Sequence, residues 1–184
     1  MKRFSCLIPC ILLFLSCFCQ KSKDDNYIPW SATRKLTVKD FVIKTKDYQT
    51  AIVGVQVLVD YQFNGFDFMT RDFNKKITNY FMKSASWIDT TYDLTISLRY
   101  AQMLFDMNEI YTRRFRKEIR ENRKKFLKGT EFVREIETRL TTEFAHRRID
   151  YDTETKFGTD LLKQLQWEAQ IRMELNDLKE FAGE

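Results

Sequence analysis

Hydrophobic positions change their period along the chain. From Ile52 to Phe63 they alternate: Val53, Val55, Val57, Val59, Tyr61 and Phe63 fall on one side of an extended chain, with Gln56, Asp60 and Gln62 on the other. A period of two predicts a half-buried strand. Asn64-Gly65 follows, a pair suited to the left-handed conformations of a tight turn. The pattern therefore predicts that Phe66–Phe73 folds back antiparallel, and that a further strand covers Lys76–Lys83.

Helical spacing then takes over. In the stretch Ser97–Lys117 apolar residues crowd the first half on every side (Leu98, Tyr100, Ala101, Met103, Leu104, Phe105). They thin to one stripe through Met107, Tyr111, Phe115 and Ile119, which predicts a helix that starts inside the domain and runs out to its surface. Asp89 or Thr90 is the expected helix cap. Gly129 and Thr130 break and restart the helix, and Phe132, Ile136, Leu140 and Phe144 recur every fourth residue in a second one. Leu161, Leu165, Ile171, Leu175 and Leu178 supply the core contacts of a final helix. The fold class implied is α+β, a small antiparallel sheet in the N-terminal half packed with a long central helix and two further helices.

The first residues read as an address. A charged start, MKR, precedes an apolar run from Phe4 to Phe18, which has the length of a secretory signal and is too short for an ordinary spanning helix. Leu15 and Ser16 stand directly before Cys17, as in the cleavage box of bacterial lipoproteins, where the cysteine is lipidated. The expected organisation is a signal peptide over 1–16, a lipidated Cys17 with a polar tether over 17–27, and one domain over 28–181. Such a chain is exported, and its N-terminal lipid holds it on an envelope membrane, in the outer membrane or facing the periplasm.

Composition narrows the chemistry. All four cysteines (Cys6, Cys10, Cys17 and Cys19) lie in the leader or at its edge, and the only histidine is His146. A zinc site built from nitrogen and sulfur ligands is thereby almost excluded, while an all-oxygen site remains open. His146 falls roughly 200° around from Phe144 at 3.6 residues per turn, and reads as a surface or C-terminal capping histidine. Asp150, Asp152 and Glu154 alternate, but without the glycine and spacing of an EF-hand they read as a solvated acidic turn. The net charge of +5, part of it in Lys2 and Arg3, is too mild to imply a nucleic-acid partner. The basic run Arg113–Lys125 reads as a solvated helix face, because Glu118 and Glu121 interrupt it and Phe115, Ile119 and Phe126 keep an apolar stripe.

Four stretches carry a family resemblance. The central one, YAQMLFDMNEIYTRRFRK from Tyr100, is similar to a helix pattern HEQxHFDIAExYxRxLRK, with Gln102, Phe105, Asp106, Glu109, Tyr111 and Arg113 in register. Near the domain start, Trp30, Ser31, Arg34, Lys35, Leu36, Thr37, Asp40 and Phe41 match WSxxRKLTWxDF. Ser86-Trp87 matches a pair placed before that helix, and Tyr151, Asp152, Thr155, Gly158, Gln164 and Trp167 match YDxxTxHGxxxxxQxxWE. Together they resemble the predicted secreted zinc-dependent protease family of bacterial envelope proteins, over about Ile28–Lys179.

The resemblance implies a zincin-like fold without the metal. Two histidines four apart on a helix can bind one metal ion, and a glutamate between them can take a proton from the bound water. Here the aligned histidine positions hold Tyr100, Leu104 and Phe157, and the general-base position holds Ala101. No catalytic residue, metal ligand or cofactor is therefore expected. The replacements are side chains suited to fill a closed cavity as core. The implied function is that of a non-catalytic pseudo-protease, an envelope lipoprotein acting through binding or as a scaffold, with a protein partner in the envelope. One alternative is a hydrolase using Asp106 and Glu109, three apart and able to share a helix face, with or without a hard metal. Another is a structural subunit of a larger envelope assembly.

Overall fold

The alternating run from Ile52 makes two strands rather than one, and they belong to different sheets. The computed structural model of the chain describes residues 25–46, 51–63 and 66–183. The leader, Cys17 and the Asn64-Gly65 turn lie outside the described residues. The elements are β1 (Tyr27–Pro29), β2 (Ile43–Thr45), β3 (Val53–Gly54), β4 (Val57–Asp60), β5 (Thr78–Met82), β6 (Trp87–Asp89), α1 (Leu94–Glu121), α2 (Glu131–Thr155) and α3 (Leu161–Asp177). The fold is α+β, with small sheets in the N-terminal half, a long central helix and two further helices.

The first sheet has the order β1-β5-β4 and is antiparallel, with Val57 opposite Phe81. The second has the order β2-β6-β3, with β2 parallel to β6 and β3 antiparallel to it. The alternating run changes sheets between Gly54 and Val57. Gly54 lies under the Trp87 indole, where a Cβ would stand 2.1 Å from Nε1. Two residues on, the Gln56 amide donates to the Ser86 hydroxyl at 3.0 Å, and its carbonyl accepts from the Met82 amide at 3.0 Å. Val53 and Val55, on either side of Gly54, are both buried in the core.

Phe66–Phe73 is not the returning strand; β5 is. The expected strand is replaced by short 3₁₀ turns at Asp67–Met69 and Phe73–Lys76. Aromatic packing explains the substitution, since Phe63, Phe68 and Phe73 gather around Phe126 at centroid distances of 5.4, 5.5 and 5.8 Å. An extended chain could not bring Phe68 and Phe73 onto one ring.

Helix α1 begins a few residues later than the expected cap. Its cap is Asp93, whose Oδ1 accepts from the amides of Thr95 (2.8 Å) and Ile96 (3.3 Å). Asp89 and Thr90 instead close the end of the second sheet, Asp89 accepting from Thr91 and Thr90 donating to the Thr45 carbonyl. At 28 residues the helix is roughly 42 Å long. It does not run out to the surface: buried positions continue from Ser97 to Ile119, because β5, α2 and α3 pack around it. The basic run is corrected with it. Arg113 and Arg116 are only 5% and 3% exposed, not part of a solvated face.

Helix α2 continues to Thr155, so Asp150, Asp152 and Glu154 lie on its last turns instead of in a loop. His146 is exposed in mid-helix and caps nothing. On α3 the buried face is Gln164, Trp167 and Ile171, while Leu161 and Leu165 are exposed. The polar Gln164 takes the inner position because it meets Tyr151, as described below. At the other end Asn26, expected in the tether, already belongs to the fold: its carbonyl accepts from Lys83 N and its Oδ1 from Ser84 N. Among the described residues no helix is long and apolar enough to cross a membrane.

The cap gives a direct check on the start of α1. Asp93→Ala should lower unfolding stability by about 1 kcal/mol in urea titration.

Candidate functional site

The positions aligned with metal ligands sit where α1 meets the end of α2. Tyr100, Ala101 and Leu104 occupy consecutive turns of α1 and are 2%, 0% and 1% exposed. The Tyr100 ring stacks on Tyr151, with centroids 5.2 Å apart and planes 14° from parallel. Its hydroxyl donates to Asp152 Oδ1, and Arg148 lies 3.8 Å from Asp152 Oδ2. Tyr151 donates in turn to Gln164 Oε1 at 2.8 Å, and Trp167 packs edge-on against its ring. Burial drives the hydroxyl pKa of both tyrosines far above the usual phenol range, so neither is available as an anionic ligand. Burial also pushes the Asp152 carboxyl up, against the opposing effects of Tyr100 and Arg148.

Phe157 does not join this core. It is 41% exposed, at the rim, with its ring centroid 6.4 Å from that of Tyr100. Backbone geometry turns it outward. After α2 the chain passes through left-handed conformations at Lys156 (φ 48°), Phe157 (φ 56°) and Gly158 (φ 85°). Thr155 fixes the turn, its hydroxyl donating to the Tyr151 carbonyl at 2.6 Å and accepting the Gly158 amide at 3.0 Å. Gly158 is thereby pressed onto Tyr100, where a Cβ would stand 2.7 Å from the tyrosine Cβ. A glycine at positive φ with no room for a side chain closes the cavity that the phenylalanine was expected to fill.

Asp106 and Glu109 face different neighbours. Asp106 Oδ1 accepts from Trp30 Nε1 at 2.7 Å and from Gln102 Nε2 at 2.8 Å, while the Gln102 carbonyl oxygen accepts the Leu36 amide at 2.9 Å. Lys35 lies 3.8 Å from Asp106 Oδ2. These bonds fasten the N-terminal segment to α1. Burial pushes the Asp106 carboxyl up, and Lys35, Trp30 and Gln102 offset part of that rise.

Glu109 is enclosed by arginines. Its Oε1 accepts from Arg113 Nε at 3.1 Å and from Arg116 Nη1 at 2.8 Å, while its Oε2 is buried without a hydrogen-bond partner. Arg113 also donates to the Leu175 carbonyl, and Arg116 to those of Ile77 and Phe181. Arg116 was not singled out from the sequence. Its signal is spacing: Arg113 and Arg116 lie four and seven residues after Glu109, on one helix face. Asn79 and Asn108 were missed as well; buried side by side, they join β5 to α1 through a 2.7 Å bond. Neither stands out among polar residues in the sequence.

Many of the motif residues thus form two internal networks. Trp30, Leu36, Gln102 and Asp106 make one, and Tyr151, Asp152, Thr155, Gly158, Gln164 and Tyr100 the other. Among the described residues no three His, Cys, Asp or Glu side chains are grouped so that they could hold a metal ion. Compared with models of known families, with curated proteins and with solved structures, the chain gives no match.

Two outcomes follow from this geometry. Leu104→His should cost about 2–4 kcal/mol of unfolding stability, because it puts a polar ring into packed apolar space. Phe157→His, at an exposed position, should stay within about 0.5 kcal/mol of the parent. Thermal or urea unfolding of both variants decides. The second outcome concerns pH. A raised Asp106 pKa means that the folded state binds the proton more tightly than the unfolded one. Its contribution to stability is full below the ordinary carboxylate range and is lost as pH rises through the raised value. Asp106→Asn should therefore flatten that part of the stability-versus-pH curve.

Proposed function

We propose that the chain is a non-catalytic envelope lipoprotein, a degenerate member of the secreted zinc-protease-like family, whose domain acts by binding another protein. The observation that carries this reading is the packing of Tyr100, Ala101 and Leu104. At the aligned ligand and base positions, α1 offers a stacked and hydrogen-bonded tyrosine, a methyl group and a leucine, all buried. The methyl group and the leucine have no lone pair to offer a metal or a proton, and the neutral, hydrogen-bonded phenol is a poor metal ligand. The carboxylates that an alternative hydrolase would use are committed elsewhere. Asp106 holds Trp30 and Gln102, and Glu109 holds two arginines. The leader and its Cys17 supply the membrane anchor in this proposal, with the lipid in place of a spanning segment.

Two measurements test it. In cells fed an alkyne-tagged fatty acid, the full-length chain should incorporate the tag and Cys17→Ser should not; equal labelling of the variant removes the anchor. Purified protein should leave unfolded casein intact in the presence of zinc, calcium, magnesium or manganese. Cleavage that disappears in Asp106→Asn or Glu109→Gln would establish the hydrolase instead.

A further inference from the structure

Two cavities adjoin along the flank of α1, between the N-terminal segment and α3. One, of about 540 Å³, is lined by Trp30, Asp106, Arg113, Arg172 and Lys179 among others. Its neighbour, of about 580 Å³, is lined by Leu36, Val38, Leu94 and Leu98. Lys35, Gln102, Met103 and Glu168 line both, so the two form one continuous cleft with a polar half and an apolar half.

The floor of the polar half holds unspent valences on buried groups. Asp106 is 4% exposed; its Oδ1 accepts two hydrogen bonds, while among the described residues Oδ2 makes none and has the Lys35 ammonium at 3.8 Å. Arg113, also nine-tenths buried, donates through Nε to Glu109 and through Nη1 to the Leu175 carbonyl, and its Nη2 makes no hydrogen bond among the described residues. Both side chains stand against Trp30, Asp106 bonded to its Nε1 and the Arg113 guanidinium 5.0 Å above its ring. An acceptor near a donor suits one residue of an extended chain, whose own N–H and C=O point to the same side. At the rim, Arg172 and Lys179 are exposed and make no ion pair among the described residues. Glu168, the other carboxylate lining this half, is paired with Arg99. The polar half therefore carries an uncompensated positive charge.

We infer that this cleft binds an extended segment of a partner protein in which apolar side chains are followed by acidic ones. The apolar side chains occupy the Leu94, Leu98 and Met103 end. The backbone meets Asp106 and Arg113, and the acidic side chains meet Lys35, Arg172 and Lys179. The assignment rests on the reading of the domain as a binding module and names the chemistry of its partner.

The test uses the full-length chain in phosphatidylcholine nanodiscs and a fluorescein-labelled peptide of leucines followed by glutamates, read by fluorescence anisotropy. The acidic peptide should bind saturably, and its counterpart with lysines in place of glutamates should not. The double variant Arg172→Glu, Lys179→Glu changes only exposed side chains and should bind about tenfold more weakly or worse, with association slowed as salt is raised. Leu98→Ser should weaken binding from the apolar end. No saturable binding, equal binding of the lysine peptide, or an unchanged double variant overturns the assignment. Any of these would leave the fatty-acid labelling and casein results standing, so the two failures are separable.

Discussion

A single buried carboxylate, Glu109 between Arg113 and Arg116, sets the terms for the rest of the structure. Taking three charges out of water is costly, and the cost is offset only where each guanidinium finds further acceptors. Here those acceptors are main-chain carbonyls from distant segments: Ile77 before β5, Leu175 near the end of α3, and Phe181 at the C-terminal turn. The arginines thus fix the first sheet, the last helix and the C-terminal segment relative to α1. Gly183 fits the same arrangement, since a Cβ there would stand 2.9 Å from Arg116 Nη2. Nearly one turn before Glu109, Asp106 does the same for the N-terminal segment through Trp30.

The polar face of α1 is therefore internal wiring, and this recasts the chemistry that its sequence suggests. Carboxylates three residues apart on a buried helix look like an acid–base pair until their partners are known. Their partners are tryptophan and glutamine for one, and arginines for the other. At the opposite end of the same helix, stacked tyrosines, Leu104 and Gly158 join α1 to the α2–α3 turn by packing. The outer cleft along the N-terminal segment is open to solvent on the flank of the same helix.

Fold class and the three long helices were legible from periodicity, because the spacing of apolar residues is imposed directly by helix geometry; the short turns at Phe66–Phe73, read as a strand, were not. Nor was sheet membership. Nothing in the alternation of Val53 to Phe63 tells of the Trp87 indole over Gly54, which bends the run from one sheet to the other. Burial on α1 was legible for Tyr100, Ala101 and Leu104, whose neighbours are apolar on all sides. It was misjudged for Arg113 and Arg116, because a basic run looks solvated until the carbonyls that receive it are brought close by the fold. Phe157 was misplaced for the converse reason. A large apolar side chain is expected inside, yet the left-handed turn before Gly158 decides its direction.

The unfolding free energy of Glu109→Gln, measured together with amide hydrogen exchange on the full-length chain, tests the structural role of this face most directly. Removing one charge leaves two buried guanidiniums short of their partner, so a loss of about 3–5 kcal/mol is expected. Exchange should accelerate around Ile77, Leu175 and Phe181, whose carbonyls the arginines hold. Parental stability and unchanged protection at those three segments would contradict the account and return Glu109 to the list of candidate catalytic groups.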